Sequence, residues 1–360
     1  MIRLAFTFAF LAITHLPAAE LVLPKVIYAV PGVPVSIVFR NAALIEPESS
    51  ISFSCECKIG EVIDNERWTL TATDNQVGDH LLKLKSNGTE ESTTIRVVPK
   101  SAGSGRKIEL LIVGDSLTNA SKYPNEISRL FSRKDNPELK MLGTHQPKSA
   151  AENVFHEGYG GWTWNRFNTR WEPKEPQVGK LGSSPFLVLK DGEPSLDVHK
   201  YIEQNCDGRK PDFATFLLGI NDCFHADPDN PEAITAKIDA MISEAETLLA
   251  AFRKASPETE IGICLTPAAN DQDGAFYANY KDRYTRWGWR RIQFELVKRQ
   301  LDHFGNREAE NIFVVPTSVG IDPIAGYPHN NGVHPNEAGY NEIGAEIFGW
   351  LKWRLAEKAQ

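Results

Sequence analysis

Glu109 to Thr118 reads ELLIVGDSLT, an apolar run that ends on glycine, aspartate and serine. Leu110-Leu111-Ile112-Val113 has no polar alternation, as a parallel strand requires when helices cover both its faces. Gly114-Asp115-Ser116 follows directly, which places a serine at a strand-to-helix turn beside backbone N–H groups that stabilise negative charge. No glycine stands two residues after Ser116, so this is not the GxSxG elbow. Alone the segment is ambiguous, because a serine that merely caps a helix has the same surroundings.

Towards the C-terminus the same kind of run recurs. Lys140–Gly143 (KMLG), Phe213–Leu218 (FATFLL), Ile261–Leu265 (IGICL) and Ile312–Val315 (IFVV) are short and apolar. Helical patterns lie between several of them. Asn230-Pro231 predicts a cap with proline at the first helical position. Ile234, Ile238, Met241, Ile242, Ala245, Leu249 and Phe252 then recur at helical spacing. A last helix is expected after Pro335, with Tyr340, Ile343, Ile347 and Leu351 on one face. Strands alternating with helices predict an α/β fold, an α/β/α sandwich around a five-stranded parallel sheet. Function in such a sheet sits at the carboxyl ends of the strands.

Towards the N-terminus the period changes. Pro99-Lys100-Ser101-Ala102-Gly103-Ser104-Gly105 is polar and rich in glycine and serine, so 100–107 reads as a linker ahead of a domain over 108–360. Before it, 35–39, 51–55, 68–72, 80–84 and 93–97 mostly alternate apolar with polar and have no helical period between them. That spacing predicts a small all-β, immunoglobulin-like antiparallel sandwich over 20–99, expected to fold separately and to contribute no catalytic atom. Residues 1–19 read as a signal peptide: Arg3, the apolar run Leu4–Ile13, then Pro17-Ala18-Ala19, too short to span a membrane. The expectation is therefore a secreted or periplasmic protein, free of the membrane once the signal is cleaved.

Composition narrows the function classes. Lysine plus arginine is 39 and aspartate plus glutamate 47, a net charge of 39 − 47 = −8. An acidic chain lacks the basic footprint that nucleic acid demands. The five cysteines form no even disulfide framework, and Cys55 and Cys57 point to one face of a probable strand, badly placed to bridge each other. The nine histidines show no HExxH or paired ligand spacing, so no metal or other cofactor is expected.

Three further motifs follow the serine. Gly158-Tyr159-Gly160-Gly161-Trp162-Thr163 is a glycine-rich turn able to bring a backbone N–H to a developing oxyanion; it fails the GxGxxG spacing of dinucleotide sites. Gly219-Ile220-Asn221-Asp222 sets an asparagine amide after the third strand of the set, and Gly332-Val333-His334-Pro335-Asn336 a histidine before the last helix. Each alone has an ordinary reading as loop, turn or structural histidine. In order and type the four resemble the SGNH (GDSL) hydrolase superfamily, from about Ile108 to the C-terminus. Ser184–Tyr201 and Val333–Tyr340 look like its secreted carbohydrate-esterase members. The resemblance implies a flavodoxin-like fold, Ser116 as nucleophile, His334 as catalytic histidine, and an oxyanion hole of Ser116, Gly161 and Asn221. It also implies a two-step ester hydrolysis that needs no cofactor.

One position departs from that family, which usually carries aspartate three residues before the histidine. Here it is Asn331. Three arrangements are open: a Ser–His dyad oriented by Asn331 or a backbone carbonyl, a displaced acid such as Asp322, or a degenerate site. Asp115 and Asp222 read as loop-organising acceptors. Trp162 and Trp164 are candidate sugar platforms, as are Trp287 and Trp289 on a predicted helix, although tryptophans at such spacing are more often core. The expected substrate is an O-acetylated carbohydrate. A lipid or thioester hydrolase, or an inactive carbohydrate-binding or adhesion protein, is the alternative.

Overall fold

The computed structural model describes residues 20–45, 51–172 and 182–358; the expected signal peptide lies outside them. Seven strands come first. They are β1 (Val26–Ala29), β2 (Pro34–Val38), β3 (Phe53–Cys57), β4 (Glu61–Ile63), β5 (Arg67–Thr71), β6 (Gly78–Ser86) and β7 (Thr89–Val97). They form a four-stranded sheet, β1-β7-β6-β3, and a three-stranded one, β2-β5-β4. Alternation buries Ile37, Trp68, Leu82, Leu84 and Ile95 in one core. The expectation of a purely antiparallel unit is corrected at its edge, where β1 runs parallel to β7. All five cysteines are free thiols.

The second part is built on β8 (Lys107–Gly114), β9 (Glu138–Leu142), β10 (Glu157–Gly158), β13 (Phe213–Leu217), β14 (Glu260–Cys264) and β15 (Ile312–Val315), all parallel; β11 (Leu187–Lys190) and β12 (Glu193–Leu196) form a separate hairpin. The order is β10-β8-β13-β14-β15, with β9 also on β8. β9 pairs with Lys107–Leu111 and β10 with Val113–Gly114, so six strands occupy five positions. The helices are α1 (Ser116–Asn119), α2 (Lys122–Phe131), α3 (Trp164–Thr169), α4 (Val198–Asn205), α5 (Ile220–Cys223), α6 (Pro231–Ala255), α7 (Asp273–Tyr280), α8 (Arg286–Phe304) and α9 (Glu337–Glu357). Successive strand residues point to opposite faces. Phe213 accordingly meets Trp350 of α9 (ring centroids 5.9 Å apart), whereas Phe216 meets Phe252 of α6 at 5.2 Å. Helices cover both faces, which explains the uninterrupted apolar runs. Asn230 caps α6 through Ala233 N–H, with Pro231 at the first position.

The two parts share a seam. Tyr28 stacks on Trp353 of α9 at 4.8 Å, and Val319 belongs to the core of the N-terminal sheets. Asn41 Nδ2 donates to Ile321 O (2.7 Å), and Arg67 pairs with Asp322. Arg290 donates to the carbonyls of Arg40, Asn41 and Ala43 at 2.6–2.9 Å. The Gly/Ser stretch is a run of turns whose Ala102 is buried, and the Ala102 carbonyl accepts from Lys352 Nζ at 2.5 Å.

Candidate active site

β8 delivers the serine. At its end only glycine fits, since a Cβ on Gly114 would lie 1.9 Å from Thr118 Oγ1. Asp115 caps α1 by accepting from Leu117 N–H at 2.9 Å. Ser116 is the first residue of α1, so its N–H has no intrahelical acceptor. Gly161 carries φ +76°, a backbone state that favours glycine, and its carbonyl accepts from Arg166 Nη1 at 2.5 Å. The Gly161 N–H has no acceptor among the described residues.

Asn221 sits in the short helix after β13, one residue past its start, and ties three motifs together. Its Nδ2 donates to Trp162 O (3.0 Å) and to Asp115 Oδ2 (3.2 Å). Both protons are used within the protein, so an oxyanion would have to displace one of these acceptors. Burial pushes the carboxyls of Asp115 and Asp222 up to about 7. Asp222 Oδ1 accepts from Trp164 N–H at 3.1 Å, so both acids organise the loops of the site.

His334 arrives on the loop before α9. Its Nε2 lies 2.9 Å from Ser116 Oγ, and its Nδ1 lies 3.2 Å from Asn331 Oδ1. The same Asn331 oxygen accepts from the N–H of Val333 (3.1 Å) and of His334 (3.0 Å). Two backbone donors therefore identify that atom as the oxygen. The ring proton must then sit on Nδ1, and the Nε2 lone pair faces the serine hydroxyl. Burial lowers the His334 pKa from its ordinary 6.5, which favours the neutral ring.

Three expectations change at this point. Asp322 does not meet the imidazole: its carboxylate pairs with Arg67 and caps a turn through the N–H of Ile324 and Ala325. Trp162 and Trp164 are not sugar platforms. They are 3% and 1% exposed, Trp162 packed on Phe167 at 4.8 Å and Trp164 stacked on Phe216 at 5.3 Å. Trp289 is buried against Phe224.

The wall beside Ser116 and His334 is made of residues that sequence reasoning passed over. Phe224, His225, Asn279, Tyr280, Arg283 and Tyr284 line a cavity of about 350 Å³ with them. Tyr277, Tyr280 and Tyr284 fall at helical spacing, a signal that was present but indistinguishable from core. Asn270 was also missed. Its Nδ2 donates to Asn331 O (3.0 Å) and Pro328 O (2.9 Å), and its N–H to Gly332 O (3.0 Å), which holds the histidine loop. The neighbouring Asp271 pairs with Arg40 and Arg286, so the N-terminal part reaches this loop through one residue.

Among solved structures, the chain is similar to a Clostridium thermocellum family 3 carbohydrate esterase, at 15% identity and TM-score 0.43 over 71% of this chain and 100% of that one. It is also similar to a family 3 carbohydrate esterase from Talaromyces cellulolyticus, at 17% identity and TM-score 0.42 over 69% of this chain and 99% of the other. An acetyl esterase mutant with acetate ion matches at 17% identity and TM-score 0.42, over 70% and 100%. No curated protein sequence matches. The family profile described as GDSL-like Lipase/Acylhydrolase matches residues 110–347. That span runs from inside β8 to inside α9 and takes in Ser116, Gly161, Asn221 and His334. On that match the chain belongs to the GDSL-like lipase/acylhydrolase family, the SGNH hydrolases.

Proposed function

We propose that the protein is an exported serine esterase that removes small acyl groups, acetyl above all, from carbohydrate. The observation that carries the chemistry is the line Ser116 Oγ, His334 Nε2, His334 Nδ1, Asn331 Oδ1, with gaps of 2.9 and 3.2 Å. His334 Nε2 takes the Ser116 proton as the oxygen attacks the acyl carbonyl. Ser116 N–H and Gly161 N–H meet the oxyanion, and the Asn221 amide joins them by releasing Trp162 O. The imidazolium then gives its proton to the departing alcohol, and water repeats the sequence on the acyl-enzyme. Asn331 holds the ring in the working tautomer without adding a charge.

Support for the substrate class is the cavity: about 350 Å³, lined by Phe224 and Val333 together with the polar side chains of Asn221, His225, Asn279 and Arg283, which suits a short acyl group on a polar alcohol better than a long chain. Export rests on residues 1–19 alone. The test is acetate release from acetylated polysaccharides, with p-nitrophenyl acetate against the octanoate for chain length and a fluorophosphonate for the serine. Acetate release with labelling at Ser116 is expected. A preference for octanoate would move the assignment to a lipid esterase, and no turnover on any ester would leave a binding protein.

A further inference from the structure

We propose that the pocket takes an acylated ring bearing an anionic group, a uronate carboxylate or a sulfate ester, and that Arg283 recognises the charge. This deepens the esterase reading and rests on it. The first observation is a contrast among neighbouring arginines. Arg286 pairs with Asp271 and Asp273, Arg291 with Asp229 and Arg299 with Asp239; Arg290 donates to three carbonyls. Arg283 lines the pocket and has no acceptor for its guanidinium among the described residues.

The second observation is what surrounds it. The pocket lining contains no aspartate or glutamate, although the chain as a whole is acidic at −8. An anionic substrate therefore meets a locally cationic opening on a surface that repels it elsewhere. The guanidinium lies 5.1 Å from the Tyr284 ring centroid, a contact that positions it without neutralising it. Its planar fork matches the paired oxygens of carboxylate or sulfate. Half-buried Tyr280 and Tyr284 offer aromatic surface to the ring between that anion and Ser116.

The experiment compares kcat/KM on matched acetylated methyl glycosides: the glucuronoside, its neutral methyl ester, a 6-O-sulfated glucoside and the plain glucoside. Wild type is expected to favour at least one anionic substrate over its neutral match by about fivefold or more, less as salt is raised. The favoured arm tells carboxylate from sulfate. Arg283→Gln should bring that ratio to about one, Arg283→Asp should invert it, and Arg283→Lys should retain part of it. The ratio cancels any general effect of the substitution on turnover or folding. A wild-type ratio near one with the neutral substrates still cleaved overturns this proposal alone, as does a preference that survives Arg283→Gln. Failure on p-nitrophenyl acetate and on all four glycosides overturns the esterase reading, and this proposal with it.

Discussion

Two serines on the connection after β8 each meet a histidine brought in from elsewhere in the chain, and both pairs close at 2.9 Å: Ser116 with His334, and Ser121 with His156. Distance does not distinguish them; the far side of each ring does. His334 Nδ1 faces an oxygen, Asn331 Oδ1, so Nε2 is left as the acceptor that a nucleophilic serine needs. His156 Nδ1 instead accepts from Gly158 N–H at 3.1 Å, so its proton sits on Nε2 and points at Ser121. That ring donates to its serine and cannot take the serine's proton. Placement agrees. Ser116 borders the cavity, whereas Ser121 and His156 are 0% exposed.

The largest expected effect follows directly. Ser116→Ala should lower kcat by about 10³-fold or more and abolish fluorophosphonate labelling, with an unchanged melting transition. Ser121→Ala should leave kcat/KM within about threefold, since no protein–substrate contact is lost. If Ser121→Ala matched Ser116→Ala in folded protein, tautomer would not be what separates the two pairs.

Asn331 is the next test. In a serine protease triad the change from aspartate to asparagine costs about 10⁴, chiefly by stabilising the wrong histidine tautomer. Here Val333 and His334 N–H hold the amide oxygen towards the ring, so that cause is absent. Asn331→Ala removes all three of the oxygen's contacts and should cost about 10²-fold in kcat/KM. Asn331→Asp keeps every acceptor and adds charge, so its rate should equal or exceed wild type. A large loss in Asn331→Asp, measured by the same assay, would mean that the loop tolerates no charge.

The pH profile sharpens the same point more gently. In the proposed mechanism the base works neutral, and burial alone holds the His334 pKa below 6.5. Activity should therefore persist through pH 6.5 and fall only below it. In Asn331→Asp the carboxylate favours the imidazolium, so the acid limb of kcat/KM should move to higher pH. An unmoved limb would show that residue 331 does not sense the ring's charge.

Much of this was legible in the sequence, for a physical reason. Strands buried on both faces must be continuously apolar, so β8, β13, β14 and β15 announced themselves, whereas the two-residue β10 and the parallel pairing of β1 depend on distant partners. Three motifs at strand ends and a fourth just before the last helix marked the candidate site, because the proposed chemistry needs those residue types there. The sequence says nothing of which way Asn331 points, because two backbone donors decide that in three dimensions. Nearness in the chain also misled: Asp322 is the nearest upstream acid, yet it is held by Arg67 across the seam. Trp162 and Trp164 follow Gly161 and turn into the core, while Arg283 and Tyr284, far along the chain, line the cavity. Glycine and serine between 99 and 107 announce turns, but not that Lys352 ties them to α9.

The smallest expected effect lies wholly in the second pair and separates its two structural roles. Ser121 adopts φ +58°, ψ 3°, a left-handed state that costs a non-glycine residue about 1 kcal/mol. Its hydroxyl returns a net contribution of about 1 kcal/mol by accepting from buried His156. Ser121→Ala keeps the strain, loses the hydrogen bond and strands the ring N–H, so it should destabilise the fold by about 1–2 kcal/mol. Ser121→Gly loses the same bond but relieves the strain, so it should lie closer to wild type in a urea titration. Acid adds a second reading. Burial first, and His145 second, push the His156 pKa down to about 3, so the folded state resists a proton that the unfolded chain accepts near 6.5. Stability from the neutral ring is therefore present above pH 6.5 and is lost as pH falls from there towards 3. Replacing His156 with glutamine should flatten that part of the curve. Equal destabilisation by alanine and glycine at 121 would assign the whole effect to the hydrogen bond and none to the backbone.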